Sequence, residues 1–357
     1  MTADEFFERL PIPILQAPMV GASSTAMAIA VCRAGGFGAI GAGAMGAEEI
    51  LAAAAEVRAH TNAPFQINLF VSGPGRPAPG EVDTALDRLA PWYAAVGAPL
   101  PEAPNSFAPD FDAQFAATLH ARPAMVSFTF DRAPADKVAV LKAADILVVG
   151  TATTVAEARA WAERGADAIC AQGFEAGGHR GHFLAETEAS LVGTLPLVAT
   201  IRAATGLPVI AAGGIMDGEG VAAVLALGAA AAQMGTAFLL ADETAISGAW
   251  RGAIERASDD PTRLTRAFSG RHARGVENRF MREMRAVEAE VPAYPVQNRL
   301  TQPLRAAAAR AGDPDLLSLW AGQGVKLAGP GQSGELVRRW WEQARAASRR
   351  LAARTGA

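Results

Sequence analysis

Apolar residues along the chain fall into short runs separated by Ala-rich stretches with helical spacing. Eight runs rich in Val, Ile and Phe read as strands, at residues 12–17, 37–41, 65–71, 124–130, 145–150, 168–172, 208–212 and 231–234. Most are near-continuous apolar runs, not alternating ones. Strands covered by helices on one side and packed side chains on the other should look like this. Helical periodicity follows most of them, at residues 24–34, 47–59, 134–143, 155–164 and 218–227. Gly165 and Gly228 sit just past two of these stretches, where C-cap glycines belong. Eight strands alternating with helices predict an α/β chain folded as a TIM (β/α)8 barrel.

Two stretches break the rhythm. Residues 72–106 are rich in Pro and Gly and read as an insertion after the third strand, on the side where barrels carry substrate-contacting loops. Residues 246–320 hold Arg-rich helical segments and no clear strand. The expected organisation is a barrel of residues 1–71 and 107–245, with residues 325–357 packing back on it as a helix centred on 335–353. Residues 72–106 with 246–324 form a smaller, mainly helical domain over the barrel mouth.

The chain has 357 residues, 50% of them hydrophobic, enough to bury a sizeable core. A net charge of −4 and a pI near 5.8 leave no basic face for nucleic acid. No apolar run approaches the roughly 20 residues that span a bilayer. The acidic N-terminus does not read as a secretory signal, and two cysteines, Cys32 and Cys170, cannot make a disulfide framework. A cytoplasmic location is expected. No Cys/His grouping has metal-ligand spacing, so no metal site is expected.

The candidate chemistry lies at the ends of the strands. The seventh strand runs into Gly213-Gly214 and the eighth into Gln233-Met234-Gly235-Thr236. Backbone N–H groups approach an anion closely where Cβ is absent, and a following helix N-terminus adds a favourable dipole. Glycine turns on these two neighbouring strands therefore predict a phosphate site, although each alone would also serve as a tight turn. The sixth strand ends at Gln172, whose amide can donate and accept along the mixed edge of a flavin ring, or satisfy loop carbonyls. Gly177-Gly178 then read as a flexible loop that carries His179 over the ring. There the imidazole could take a proton from carbon or hold an anion. Asn68 is polar within the third strand and suits a ring or ribityl oxygen, or a backbone group at the barrel top. At the end of the first strand, Ala17, Pro18 and Met19 offer backbone and a soft apolar contact to a flat cofactor. Cys170 shares a strand face with Gln172 and should fill the barrel interior. His182 is a weaker candidate than His179. His272 is expected in the helical domain, where it could be merely exposed.

The segments PILQAPM (13–19), INLF (67–70), CAQGFEAGGHRG (170–181), AAGGI (211–215) and QMGTAFL (233–239) closely resemble those of nitronate monooxygenases, formerly called 2-nitropropane dioxygenases. FSGRHARGVENRF (268–280), YPVQN (294–298) and LWAGQGV (319–325) extend the resemblance over nearly the whole chain, toward the bacterial group called class I. The resemblance implies FMN, a TIM barrel with a smaller domain, and oxidation of alkyl nitronates by O2 to the carbonyl compound with nitrite or nitrate. Propionate 3-nitronate is the substrate it implies. It places flavin contacts at Asn68, Gln172, Gly177, Gly214, Gln233, Met234, Gly235 and Thr236, the catalytic histidine at His179, and Tyr294 beside the substrate.

Two other readings fit the same motifs. An FMN barrel that takes hydride from NAD(P)H, of the enoyl-acyl-carrier-protein reductase or quinone reductase kind, shares the glycine turns and the Gly-Gly-His loop. A non-catalytic flavin-binding protein would share the phosphate site, but has no need of a histidine over the ring.

Overall fold

The computed structural model describes residues 1–259 and 261–355. Its strands are β1 (Ile14–Gln16), β2 (Gly38–Gly41), β3 (Phe65–Phe70), β4 (Met125–Thr129), β5 (Leu147–Ala152), β6 (Ala168–Gln172), β7 (Gly178–His179), β8 (Val209–Ala212), β9 (Ala231–Met234), β10 (Thr262–Thr265) and β11 (Ala273–Val276). Eight of them pair in parallel in the order β1-β9-β8-β6-β5-β4-β3-β2. A parallel bridge between Leu15 and Phe37 joins the two ends, so the sheet closes as a TIM barrel. These eight overlap the eight runs expected from the sequence. The first is shorter than expected at both ends, without Ile12 and Pro13 before it and Ala17 after it.

The helices around the barrel are α1 (Ala3–Glu8), α2 (Thr25–Arg33), α3 (Ala47–His60), α4 (Glu81–Ala95), α5 (Phe111–Ala121), α6 (Ala135–Ala143), α7 (Val155–Arg164), α8 (Thr194–Thr205) and α9 (Gly218–Ala226). Beyond the barrel come α10 (Gly248–Glu255), α11 (Arg279–Met284), α12 (Val296–Ala311) and α13 (Ser333–Thr355). A capping box fixes the start of α1: Thr2 Oγ1 accepts from Glu5 N, and the Glu5 carboxylate accepts from Thr2 N. This short helix plugs one end of the barrel. Its Phe6 and Phe7 share a core with Leu15, Phe37, Met125, Val149 and Ile210, and each contributes on the order of 2 kcal/mol by burial. Above that apolar floor the inward-facing positions turn polar: Asn68, Ser127, Thr129, Thr151, Gln172 and Gln233 all face the cavity described below. The main apolar layer lies outside the strands, between them and the helices. α13 packs into it against α2 and α9. Gly218 approaches α13 so closely that a Cβ would lie 2.2 Å from the Trp340 carbonyl.

A second apolar cluster joins α4 to residues 246–328 and takes Ala22, Leu239 and Leu240 from the barrel side. It differs from the sequence expectation in two ways. The proline-rich insertion contains α4, which buries Leu86, Leu89, Trp92 and Tyr93. Residues 246–320, read as strandless, contribute β10 and β11, which pair antiparallel and then with β7. Both strands are only four residues long and carry an Arg, and β11 a Gly as well, so they lack the apolar run that marked the barrel strands. Among the described residues, no helix is long and apolar enough to cross a membrane.

Candidate active site

A cavity of about 650 Å³ opens at the C-terminal ends of the barrel strands, between the rim and the second cluster. That is an ordinary size for a cofactor or substrate site. Ala17, Pro18, Met19, Asn68, Gln172, Gly177, Gly178, His179, Gly213, Gly214, Gln233, Gly235, Thr236 and Tyr294 all line it. Met234 does not. Its side chain is fully buried in the layer between strands and helices, and its carbonyl accepts from Ala17 N at 2.8 Å. Side chains alternate along a strand, so Gln233 and Met234 cannot both face inward.

One end of the cavity is a cradle of backbone donors. Gly213 and Gly214 have φ of +118° and +72°, which L side chains avoid. The N–H groups of Gly214, Gly235 and Thr236 have no acceptor among the described residues. The Thr236 hydroxyl accepts from Gly322 N at 2.9 Å, which leaves its own O–H to donate. The N-terminus of α9 does not add the expected free end, because Asp217 caps it and accepts from Gly220 N at 2.9 Å.

Midway lies the polar collar of the barrel. Asn68 Nδ2 donates to Ser127 O, Ser127 Oγ and Thr129 Oγ1 at 3.0 to 3.2 Å, which leaves Oδ1 as an acceptor for a ligand. Gln172 bonds its own loop at both ends: Nε2 donates to His179 O at 3.0 Å and Oε1 accepts from Gly181 N at 2.8 Å. It therefore fixes the segment that carries His179, with one N–H left over. Gln233 Nε2 contacts Cys170 Sγ at 3.4 Å. Burial pushes the Cys170 thiol up to about 12, which makes it an inert filler of the barrel interior.

His179 holds the opposite side. Gly178 and His179 do not form the flexible loop expected from two successive glycines. They form β7, paired with Arg274 and Ala273 of β11. Glycine at 177 serves packing, since a Cβ there would lie 2.5 Å from Ala321 C and Gly322 N. The imidazole is ringed by Phe70, Phe130, Tyr294 and Trp320, with centroids 5.1 to 6.4 Å apart across the group. Its Nε2 lies 2.9 Å from Ser269 Oγ, which is fully buried and also reaches Arg271 O at 2.9 Å. Nδ1 has no partner among the described residues. Burial first, then the Arg271 and Arg305 charges, pull the His179 pKa down to about 3, which favours the neutral ring near neutral pH.

The other two candidate histidines stand apart from the cavity lining. His272 is not merely exposed. It immediately precedes β11, its carbonyl accepts from Arg180 N, and its Nδ1 lies 2.7 Å from Thr187 Oγ1. His182 shares that hydroxyl at 3.3 Å and lies outside the cavity lining. Several cavity residues escaped the sequence reading: Ser127, Thr129 and Thr151 on the barrel wall, Trp250, Trp320, and the face of α12 formed by Asn298, Gln302 and Arg305. Polar residues at that spacing within an amphipathic helix were the available signal.

A family model described as nitronate monooxygenase matches residues 6–342. A Pseudomonas aeruginosa protein named nitronate monooxygenase is 43% identical over 348 residues, covering 96% of this chain and 99% of that one. A Staphylococcus aureus protein named probable nitronate monooxygenase is 39% identical over 317 residues, covering 88% and 89%. Among solved structures, nitroalkane oxidase from Streptomyces ansochromogenes superposes with a TM-score of 0.91 at 41% identity, over 97% of this chain and 99% of that one. FabK from Thermotoga maritima superposes with a TM-score of 0.76 at 27% identity, over 99% of both chains.

Proposed function

The chain belongs to the nitronate monooxygenase family, and from that premise we propose that it is an FMN-dependent enzyme that oxidises alkyl nitronates with O2. Propionate 3-nitronate is the expected substrate, and the carbonyl compound with nitrite or nitrate the expected products. The observation that carries this reading is a neutral, aromatic-walled His179 across one cavity from a cradle of unengaged N–H groups.

The residues present fit FMN. The N–H groups of Gly214, Gly235 and Thr236, with the Thr236 hydroxyl, suit its phosphate. Asn68, Gln172 and Gln233 offer amides to the polar edge of its ring, and Ala17, Pro18 and Met19 a flat wall of backbone and thioether. When bound, the flavin supplies the redox chemistry, accepting electrons from an electron-rich nitronate.

The protein supplies orientation and electrostatics. A nitronate is already ionised, so no base has to remove its α-proton. A histidine at about 3 would be a poor base near neutrality, because its proton-accepting power is mismatched to the working pH. It is well suited to hold the anion. Ser269 decides how. When its hydroxyl donates to Arg271 O, it accepts from Nε2–H and leaves Nδ1 a lone pair. When it donates to Nε2, Nδ1–H faces the cavity. A negative oxygen in the cavity favours the second tautomer. Phe70, Phe130, Tyr294 and Trp320 exclude water around that bond and so strengthen it.

Anaerobic mixing of the purified protein with propionate 3-nitronate, and separately with NADH, tests the proposal. Heat-released cofactor should have the mass of FMN. Its absorbance in the protein should change with the nitronate and persist with NADH. Rapid bleaching by NADH with no response to nitronate would move the chain to the reductase reading. No response to either would favour a flavin-binding protein without catalysis.

A further inference from the structure

The cavity contains a cation, Arg305, with no carboxylate paired to it among the described residues. α12 buries Val296, Leu300, Leu304 and Ala308 in the second apolar cluster and turns Asn298, Gln302 and Arg305 to the cavity, with Arg299 at its exposed edge. Positions 298, 302 and 305 follow helical spacing, so they lie on one stripe. The Arg305 guanidinium donates from Nη2 to Asn298 O and Oδ1, both at 2.9 Å, and from Nη1 to Ser318 Oγ at a long 3.4 Å. Its Nε is buried without a partner. No carboxylate forms an ion pair with it among the described residues. The opposing groups around it are the hydroxyls of Tyr294 and Tyr93. Burial lowers it only to about 10, so it stays charged at neutral pH.

A buried charge with incomplete hydrogen bonding is costly unless a partner arrives. Arg305 lines the cavity, so an anion bound there can answer its charge. One guanidinium flanked by neutral amide and hydroxyl groups matches a monoanion with two oxygens, the geometry of a carboxylate. A phosphate dianion is better served by the backbone cradle on the opposite side.

We propose that Arg305 is the residue that selects a carboxylate-bearing substrate, holding the tail of the molecule while its nitronate end lies at His179. Arg299 at the edge adds a second positive charge on the way in. The assignment of the two ends rests on the nitronate reading above; the anion subsite itself does not. The resemblance named a carboxylate-bearing nitronate without a residue to receive its tail, and the α12 stripe supplies one.

The first test compares propionate 3-nitronate with butane-1-nitronate, which has an uncharged tail of similar size. The unmodified holoenzyme should favour the carboxylate in kcat/KM by roughly ten- to a hundredfold, the range of one charge-assisted contact. Arg305→Met should cut that ratio by at least about tenfold, mostly through KM, and Arg305→Lys should restore part of it. An unchanged ratio in Arg305→Met overturns the proposal.

The second test reads binding without turnover. Propionate added to the holoprotein should perturb the fluorescence of Trp320 and Trp250, which line the cavity, while propionamide should not. Equal binding of the two, or tighter binding of inorganic phosphate than of propionate at this site, overturns the carboxylate assignment. Binding of propionate that is lost in Arg305→Met, in a protein that oxidises neither nitronate, would keep the subsite and discard the nitronate reading.

Discussion

At the scale of single residues, His179 and Ser269 act as one unit. Its lowered pKa favours the neutral ring at neutral pH, and Ser269 selects which nitrogen is bare. With a nitronate as substrate, kcat/KM should therefore show no ionisation of His179 between pH 6 and 9. A rising limb near pH 6 to 7 that vanishes in His179→Asn would instead make it a base. His179→Asn should lower kcat/KM on the nitronate about ten- to a hundredfold, the worth of a hydrogen bond to an anion. Ser269→Ala removes the tautomer choice without touching substrate. It should raise KM for the nitronate with little change in kcat, and steady-state kinetics at fixed pH would read the split.

At the scale of elements, the segment after β6 is held on both flanks. Glu157, fully buried on α7, accepts from Thr153 N and Oγ1 with one oxygen and from Phe183 N and Leu184 N with the other, at 2.6 to 3.1 Å. Toward the cradle, the Glu175 carboxylate accepts from Thr194 N and Oγ1 at the start of α8. On the domain side, Gln323 N donates to Glu175 O. The His179 segment is thus rigid by hydrogen bonding, not by its own composition. Glu157→Gln places an NH2 group against N–H donors that have no other acceptor, and should cost about 2 to 3 kcal/mol in urea unfolding. Gly177→Ala acts on the other flank by pushing the 321–322 segment away. Purified Gly177→Ala should hold less flavin per chain while its far-UV circular dichroism stays that of the parent. Full flavin content would show that the 321–322 segment yields freely.

At the scale of the whole molecule, the fold keeps three histidines neutral. Burial and nearby arginines lower His179 to about 3, His182 to about 4, and His272 below its ordinary value. In the unfolded chain each titrates near 6.5, at about the ordinary histidine value. The folded state binds fewer protons than the unfolded one below that pH. Their contribution is complete above about pH 6.5 and is lost as pH falls toward the folded values. Thermal melts from pH 8 to pH 4.5 should show Tm level near neutrality and falling below about pH 6.5. His182→Asn should make that fall shallower, and an unchanged slope would mean that His182 protonates freely in the fold. α13 contributes through packing. Trp340 meets Phe238 edge-to-face at 5.0 Å, so Trp340→Ala should cost about 3 to 5 kcal/mol by urea titration.

The sequence alone determined the barrel and its rim. Parallel strands covered on both faces leave continuous apolar runs, and each run lies within one element, so local pattern suffices to find them. The glycines at 213 and 214 were legible for the same reason: a left-handed backbone is a demand placed on one residue at a time. β10 and β11 were not legible, because four-residue strands interrupted by Arg gain their order from each other and from β7. Only the tertiary structure put Met234 behind the wall that Gln233 lines and turned a flexible-looking Gly-Gly-His into a strand. It also set Ser269, 90 residues away in sequence, against His179. Arg305 is the clearest case. In the sequence it is one of three arginines on an amphipathic helix. That no carboxylate among the described residues pairs with it is a property of everything around it, and the packing of α12 against the barrel mouth decides it.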